Sequence, residues 1–260
     1  MKEGLLKMRY DKIQFAFVEN ENLGLSKDQI VYIKKLIENY IEEYPHIVLT
    51  KVCDYFSWDY LKSELSEYTY THNRENEAYA EYDNVAQYSD EQKLIGFNHI
   101  QMSKMELDNK QIVEAVERDK KRLEKVKKEY EKVRRQCRLL GQSVPSFNKI
   151  LNGSFSSSEL KRHEIETKEL TDEYLEVMLI RCMEECKSVR GLVAHEVGHA
   201  IAYSYHLEED ETIKALYEKF EDGFENIQEF VAECFMASEL TGEIPLANKV
   251  KKRIGEIAGL

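Results

Sequence analysis

His195, Glu196 and His199 stand in the order H-E-x-x-H, a spacing with a chemical meaning. Residues four apart on an α-helix share a face, so the two imidazoles point the same way and can close on one tetrahedral ion, zinc above all. Glu196 follows the first ligand directly and reaches a metal-bound water without ligating the ion. Such a water, its pKa lowered toward about 7, is a nucleophile at neutral pH, and Glu196 is the general base for it. Leu192, Val193, Val197, Ala200 and Ile201 surround the motif, so its helix is expected to be largely buried. Two histidines and a glutamate inside an apolar helix are costly unless something pairs with them. An ion supplies that pairing.

A catalytic zinc takes a third protein ligand. The extended motif with glycine and a third histidine is broken, because those positions hold Ala202 and Tyr205. His206 lies too far along the same helix from His195 to share an ion. A downstream helical glutamate is the other common solution. Glu229 is preferred over Glu221, Glu225 and Glu233. It lies in a run with Phe230, Val231, Ala232, Cys234 and Phe235, where unpaired carboxylates are expensive. Glu233, one turn on, is expected to brace a ligand histidine from behind the metal. Tyr203, Tyr205, His206 and Tyr217 are the candidates for stabilising a developing oxyanion.

Several elements must position these groups. Ser188 is the expected N-cap of the motif helix, which runs to about Tyr205. An acidic helical stripe follows at 208–222, with Ile213, Leu216, Tyr217 and Phe220, and Gly223 breaks it. Asn226 begins the next helix and Pro245 opens a last one, Leu246 to Ile257. Upstream, residues 13–18 read as a strand. Ser26 with Gln29 forms a capping box for a helix to about Tyr44, with Ile30, Ile33, Ile37 and Ile41 on one side. His46 to Val52, Glu77 to Val85 and Lys93 to Met102 read as strands, the last two as a hairpin. The 93–102 strand, if exposed beside the metal, would bind an extended peptide by strand addition. Aromatic residues crowd 53–72. Residues 108–140 lack Gly and Pro and carry a coiled-coil-like seam at Val116, Leu123, Val126, Tyr130, Val133, Cys137 and Leu140. A turn region spans 141–158. Leu160, His163, Leu170, Tyr174 and Val177 then repeat the spacing, which gives an antiparallel helical hairpin over 108–187, either a docking arm or a layer on the body.

The bulk properties narrow the function classes. The chain has 260 residues and a net charge of -12, which disfavours nucleic acid and anionic membrane surfaces as partners. No apolar run is long enough to span a bilayer, and the N-terminus lacks a signal-peptide core, so a cytoplasmic location is expected. Five cysteines, an odd count, argue against a disulfide framework. Cys182 and Cys186 read as two buried thiols in preference to a second metal pair.

His195-Glu196-Val197-Gly198-His199 together with Gln228-Glu229-Phe230-Val231-Ala232-Glu233 resembles the gluzincin metallopeptidases. The second segment is similar to that of the anthrax lethal factor catalytic domain and of the zincin-like domains of phage minor head proteins. In the phage domains a stretch like Ile244-Pro245-Leu246-Ala247-Asn248-Lys249-Val250 follows, and segments like Ala78-Tyr79-Ala80-Glu81-Tyr82 and Gly96-Phe97-Asn98 precede. The resemblance spans 76–103 in outline and 188–257 closely. It implies zinc ligands at His195, His199 and Glu229, with Glu196 as catalytic acid and base. The hairpin at 108–187 departs from the compact pattern of that family.

The expected fold is therefore α+β: a mostly helical zincin-like domain with a small mixed sheet and a long helical hairpin insertion. Residues 1–107 would supply the first helix and the sheet, 108–187 the hairpin, and 188–260 the catalytic helices. The expected activity is zinc-dependent endopeptidase action on a peptide or protein. The alternatives are an assembly module of a phage or mobile element, virion-associated and with little turnover, and a secreted protease toxin domain. A protein partner would dock through the hairpin.

Overall fold

The computed structural model describes residues 12–17, 25–54, 86–91, 93–98, 102–107, 110–141, 172–185 and 188–260. The aromatic run from Tyr55 to 72, the strand at 77–85, the 78–82 segment, the turn region beyond Gly141, the positions Leu160, His163 and Leu170, and Cys186 lie outside these residues. So do the side chains of Cys182, Tyr174 and the seam residues Val116 to Val133. Within them the chain is mostly helical with one small mixed sheet, an α+β arrangement.

Among the described residues the sheet has four short strands, β1 (Gln14–Ala16), β2 (Lys51–Asp54), β3 (Ala86–Ser89) and β4 (Leu94–Phe97), in the spatial order β1-β2-β4-β3. β1 and β2 are parallel, as are β2 and β4; β3 runs antiparallel to β4, with Tyr88 opposite Ile95. Val52, Cys53, Leu94, Ile95 and Phe97 are fully buried, as strands covered on both faces must be. β2 begins at Lys51, later than the expected start at His46. The reason is tertiary. The His46 N–H donates to the Tyr205 hydroxyl at 3.2 Å and the Val48 N–H to Ser204 Oγ at 2.7 Å, so these backbone donors serve a helix end and not a ladder. β4 stops at Phe97, and the Asn98 carbonyl accepts from the Met102 N–H at 2.9 Å.

Helix α1 (Lys27–Glu43) carries the full capping box, with Ser26 and Gln29 bonded reciprocally, and buries Ile30, Ile33, Ile37 and Ile41. Gln29 also donates to the Met102 carbonyl at 2.8 Å, tying the helix start to the chain beyond β4. Helix α2 (Lys110–Leu139) is laced on its wet side by pairs such as Lys121–Glu117 and Arg134–Glu131. Helix α3 (Asp172–Glu185) buries Val177, Met178, Leu179, Ile180 and Met183 and packs on α2 and on the two last helices. The second half of the 108–187 segment is thus a layer of the body, sharing its core.

The remaining helices are α4 (Val189–Ser204), α5 (Glu211–Phe220), α6 (Ile227–Thr241) and α7 (Pro245–Ala258). Each starts where the sequence places a stop or a cap. Ser188 Oγ accepts from Gly191 N–H, Asp210 from Thr212 and Ile213, Asn226 from Glu229, and Pro245 occupies the first turn of α7. α6 ends at Gly242 and α7 at Gly259, both left-handed. The dominant packing is α4 against α6, with α1 and β3 also on α4 and α7 on α6. Among the described residues, no helix is long and apolar enough to cross a membrane.

Candidate metal centre

α4 is buried on nearly every side: Val193, Ala194, Val197, Ala200 and Ile201 all lie in the core. The face carrying His195 and His199 is the half-open one. α6 crosses that face, and the crossing is close because position 198 has no side chain. A Cβ there would stand 2.8 Å from Ala232 Cα, shorter than real Cβ contacts allow. Gly198 and Ala232 let the two backbones approach, and Glu229 in the first turn of α6 reaches the histidines. Its backbone is fixed by the cap, Glu229 N–H to Asn226 Oδ1 at 2.9 Å.

The three side chains converge. His195 Nε2 and His199 Nε2 are 3.1 Å apart, His199 Nε2 is 3.3 Å from Glu229 Oε1, and His195 Nε2 is 3.5 Å from Glu229 Oε2. The imidazole rings meet edge to face, interplanar angle 80°. Tetrahedral ligands about 2.0–2.1 Å from an ion stand about 3.3–3.4 Å from one another. The observed separations bracket that value. Two imidazoles and a carboxylate suit zinc and its transition-metal neighbours, and they do not suit calcium or magnesium, which take oxygen ligands.

The electrostatics follow from proximity. Burial alone would raise the Glu229 carboxyl, but the hydrogen bond from His199 and the charges of His199, His195 and Arg181 outweigh it and hold it down at about 2. Burial alone would lower His199, and Glu229 and Glu196 reverse this, so its pKa is raised. Glu196, 3% exposed, is pushed up to about 7 by burial; His199 and the Tyr88 N–H partly offset that push and Glu229 adds to it. One oxygen of Glu196 accepts from the Tyr88 backbone; the other, Oε2, has no hydrogen-bond partner among the described residues.

Compared with protein-family profiles, with curated proteins and with solved structures, the chain finds no match. The reading of the site therefore rests on its own chemistry.

The structure brings His195, Glu196, His199 and Glu229 together. Glu233 is buried one turn further along α6, and its carboxylate is bound by Arg181 of α3. Glu221 and Glu225 are exposed and lie before α6. The four oxyanion candidates separate. Tyr203 lies one turn past His199 on the same face of α4. The Tyr205 hydroxyl is taken by His46 N–H. The Tyr217 ring packs on Phe230. His206 sits beyond the helix end, exposed and left-handed; with Glu208 and Glu209 it forms a second cluster of potential ligands, of a kind exposed acidic turns often show without an ion.

Two features escaped the sequence. β4, a docking strand only if exposed, is interior; β3 is the edge strand among the described residues. The Tyr88 N–H of β3 turns outward from the sheet to Glu196. Nothing in the linear sequence reports strand order, so this pairing had no local signal. A groove of about 860 Å³ lies elsewhere, between α2, α3 and the start of α7, lined by Lys127, Glu131, Leu179 and Pro245 among others, and holds none of His195, His199 and Glu229.

Proposed function

We propose that this chain is a zinc metallopeptidase of the gluzincin kind, with a zincin-like fold. The observation that carries the reading is the convergence of His195, His199 and Glu229 at tetrahedral edge lengths, with a buried carboxyl beside them. Zinc held by these three residues would polarise a peptide carbonyl and acidify water. The remaining work belongs to the chain. Glu196 has an oxygen free to take a proton, and burial places its carboxyl at about 7, where it accepts and returns a proton at little cost near neutral pH. It would pass that proton to the leaving amine.

An extended peptide would lie along β3, whose outer side meets α4, and pair with its backbone groups. The Tyr88 N–H holds Glu196 at that edge, so the base and the docking strand are fixed relative to each other.

The test is Glu196→Gln in the zinc-loaded protein, assayed on an unstructured protein such as casein. The expected result is full zinc content with cleavage lost by at least a hundredfold. Equal cleavage by wild type and variant refutes the mechanism. Zinc bound by both with cleavage by neither leaves a zinc-stabilised assembly module as the better reading.

A further inference from the structure

Beside the metal ligands stands a second group of side chains, which includes the oxyanion candidate Tyr203 and which the proposed proton transfers do not use. Tyr203, on the ligand face of α4, has its ring 6.4 Å from that of Tyr88 on β3. The Lys93 ammonium sits 3.4 Å from the centre of the Tyr203 ring. Both tyrosines are half-buried, and the Tyr88 ring is fixed by its hydroxyl donating to the Val48 carbonyl at 3.3 Å. Along α4, Tyr203 is about 6 Å beyond His199. That is about two residues of an extended peptide.

Lys93 ends the turn from β3 to β4 with φ 56°, one of two non-glycine residues described in the left-handed region. That region suits glycine or asparagine; a lysine there is strained. Its carbonyl is clamped by Thr50, which donates both N–H, at 2.7 Å, and Oγ1, at 2.9 Å. The geometry sends the side chain back over α4. The ammonium donates to the Asp90 carbonyl, which uses one of three protons, and no carboxylate among the described residues lies within ion-pair distance of it. Lys93 thus places a cation over the ring of a residue one helical turn from His199.

We propose that Lys93, Tyr203 and Tyr88 form a subsite for a carboxylate of the substrate, about two residues from the bond that is cut. The aromatic rings give it an apolar floor and Lys93 supplies the charge. The carboxylate is that of an acidic side chain or of a free chain terminus. This inference deepens the peptidase reading and rests on it for the word substrate; the binding preference itself does not.

The experiment titrates the full-length, zinc-loaded Glu196→Gln protein with acetyl-Ala-Glu-Ala-amide, acetyl-Ala-Gln-Ala-amide and acetyl-Ala-Ala-Ala with a free terminus, followed by NMR of the tyrosine rings. The glutamate peptide is expected to bind at least fivefold tighter than the glutamine one. Tight binding by the free-terminus peptide alone assigns the subsite to a terminal carboxylate. Adding Lys93→Gly should erase the preference without lowering the melting temperature, since glycine relieves the strained φ. Lys93→Glu should reverse it toward lysine-containing peptides. Equal binding of the three peptides overturns the proposal, as does a preference that survives Lys93→Gly. In parallel, wild type acts on a mixture of proteome-derived peptides. Cleavage without acidic enrichment sinks the subsite and keeps the peptidase; a binding preference without any cleavage keeps the subsite and sinks the peptidase.

Discussion

Gly198 and Ala232 meet where α4 crosses α6, and the contact leaves no room for a methyl group: a Cβ at 198 would stand 2.8 Å from Ala232 Cα and 3.2 Å from its carbonyl oxygen. Gly198 lies between His195 and His199 and Ala232 one turn after Glu229, so the spacing of the two helices sets the distance between the candidate donors. Gly198→Ala must push α6 outward. The expected loss is about 1–3 kcal/mol of stability, as for other overpacked sites, with zinc affinity reduced at least tenfold. Gly255 on α7 is the control. A Cβ there meets nothing nearer than 3.9 Å, so Gly255→Ala should be neutral or stabilise by up to about 1 kcal/mol. Thermal melts and a zinc-chelator competition on both variants check this pair. Equal zinc affinity in the two would refute the argument.

The metal-free protein should be most stable in mildly acidic solution. Glu196 has a folded pKa of about 7 against an ordinary 4.5, so ionising it costs stability: its contribution is full below 4.5 and is lost as pH rises to 7. His199, raised from 6.5, acts in the same direction, stabilising below 6.5 and losing that effect above it. Glu229 runs the other way. Held at about 2, it stabilises above 4.5 and loses its contribution as pH falls toward 2. Stability without metal should therefore peak between about 4.5 and 6.5. Glu196→Gln should flatten the alkaline side, by at most on the order of 3 kcal/mol at pH 8. Melting curves in chelator from pH 3 to 9 decide it. A maximum at pH 8 in the wild type would contradict the assignment of Glu196 as a buried carboxyl.

Arg181 and Glu233 join α3 to α6, with the carboxylate 1% exposed. Arg181→Met leaves that buried charge without its guanidinium and should cost about 3–5 kcal/mol. Removing both charges in Arg181→Met with Glu233→Met should recover most of the loss, because the pair's net worth is small even though its halves are costly alone. If Glu233 also braces the metal ligands, the double variant will refold well and still bind zinc some 10–100-fold more weakly. Denaturation midpoints and zinc affinity, measured on the same samples, separate the two roles.

The parts of this fold that could be read from the sequence are those decided by neighbours along the chain. Ser26 with Gln29, Ser188, Asn226 and Pro245 mark helix starts by local hydrogen bonding and fixed φ, and each stands where the pattern places it. The histidine pair is local too, one turn of one helix. The convergence with Glu229 was legible only through chemistry: a carboxylate in an apolar helix calls for a partner, though nothing in the residues between says how α6 crosses α4. What was not legible came from contacts between distant segments. His46 and Val48 read as strand, but their donors are spent on Tyr205 and Ser204, more than 150 positions away. Whether the 93–102 strand was an edge or an interior strand was open in the sequence; β2 and β3 cover both sides of β4. The left-handed Lys93 had no signal at all, since turn chemistry predicts glycine there.

Zinc should act as a folding ligand for this chain, and the effect should vanish with one carboxylate. A ligand that binds only the folded state stabilises it by about 2.7 kcal/mol at a hundredfold excess over its dissociation constant. The candidate donors come from two helices, α4 and α6, so a bound ion would link elements that are otherwise joined by apolar packing and by the narrow Gly198 contact. Stripping the metal with a chelator should lower the melting temperature of the wild type by several degrees, and readding zinc should restore it. Glu229→Ala removes the one candidate ligand that α6 supplies. That variant should melt near the chelated wild type and show no response to zinc, while Glu233→Gln keeps a reduced response. Calcium and magnesium should not substitute, because two of the three donors are imidazoles. An undiminished zinc response in Glu229→Ala would mean that the ion, if bound, is held by other residues, and the peptidase reading would fall with it.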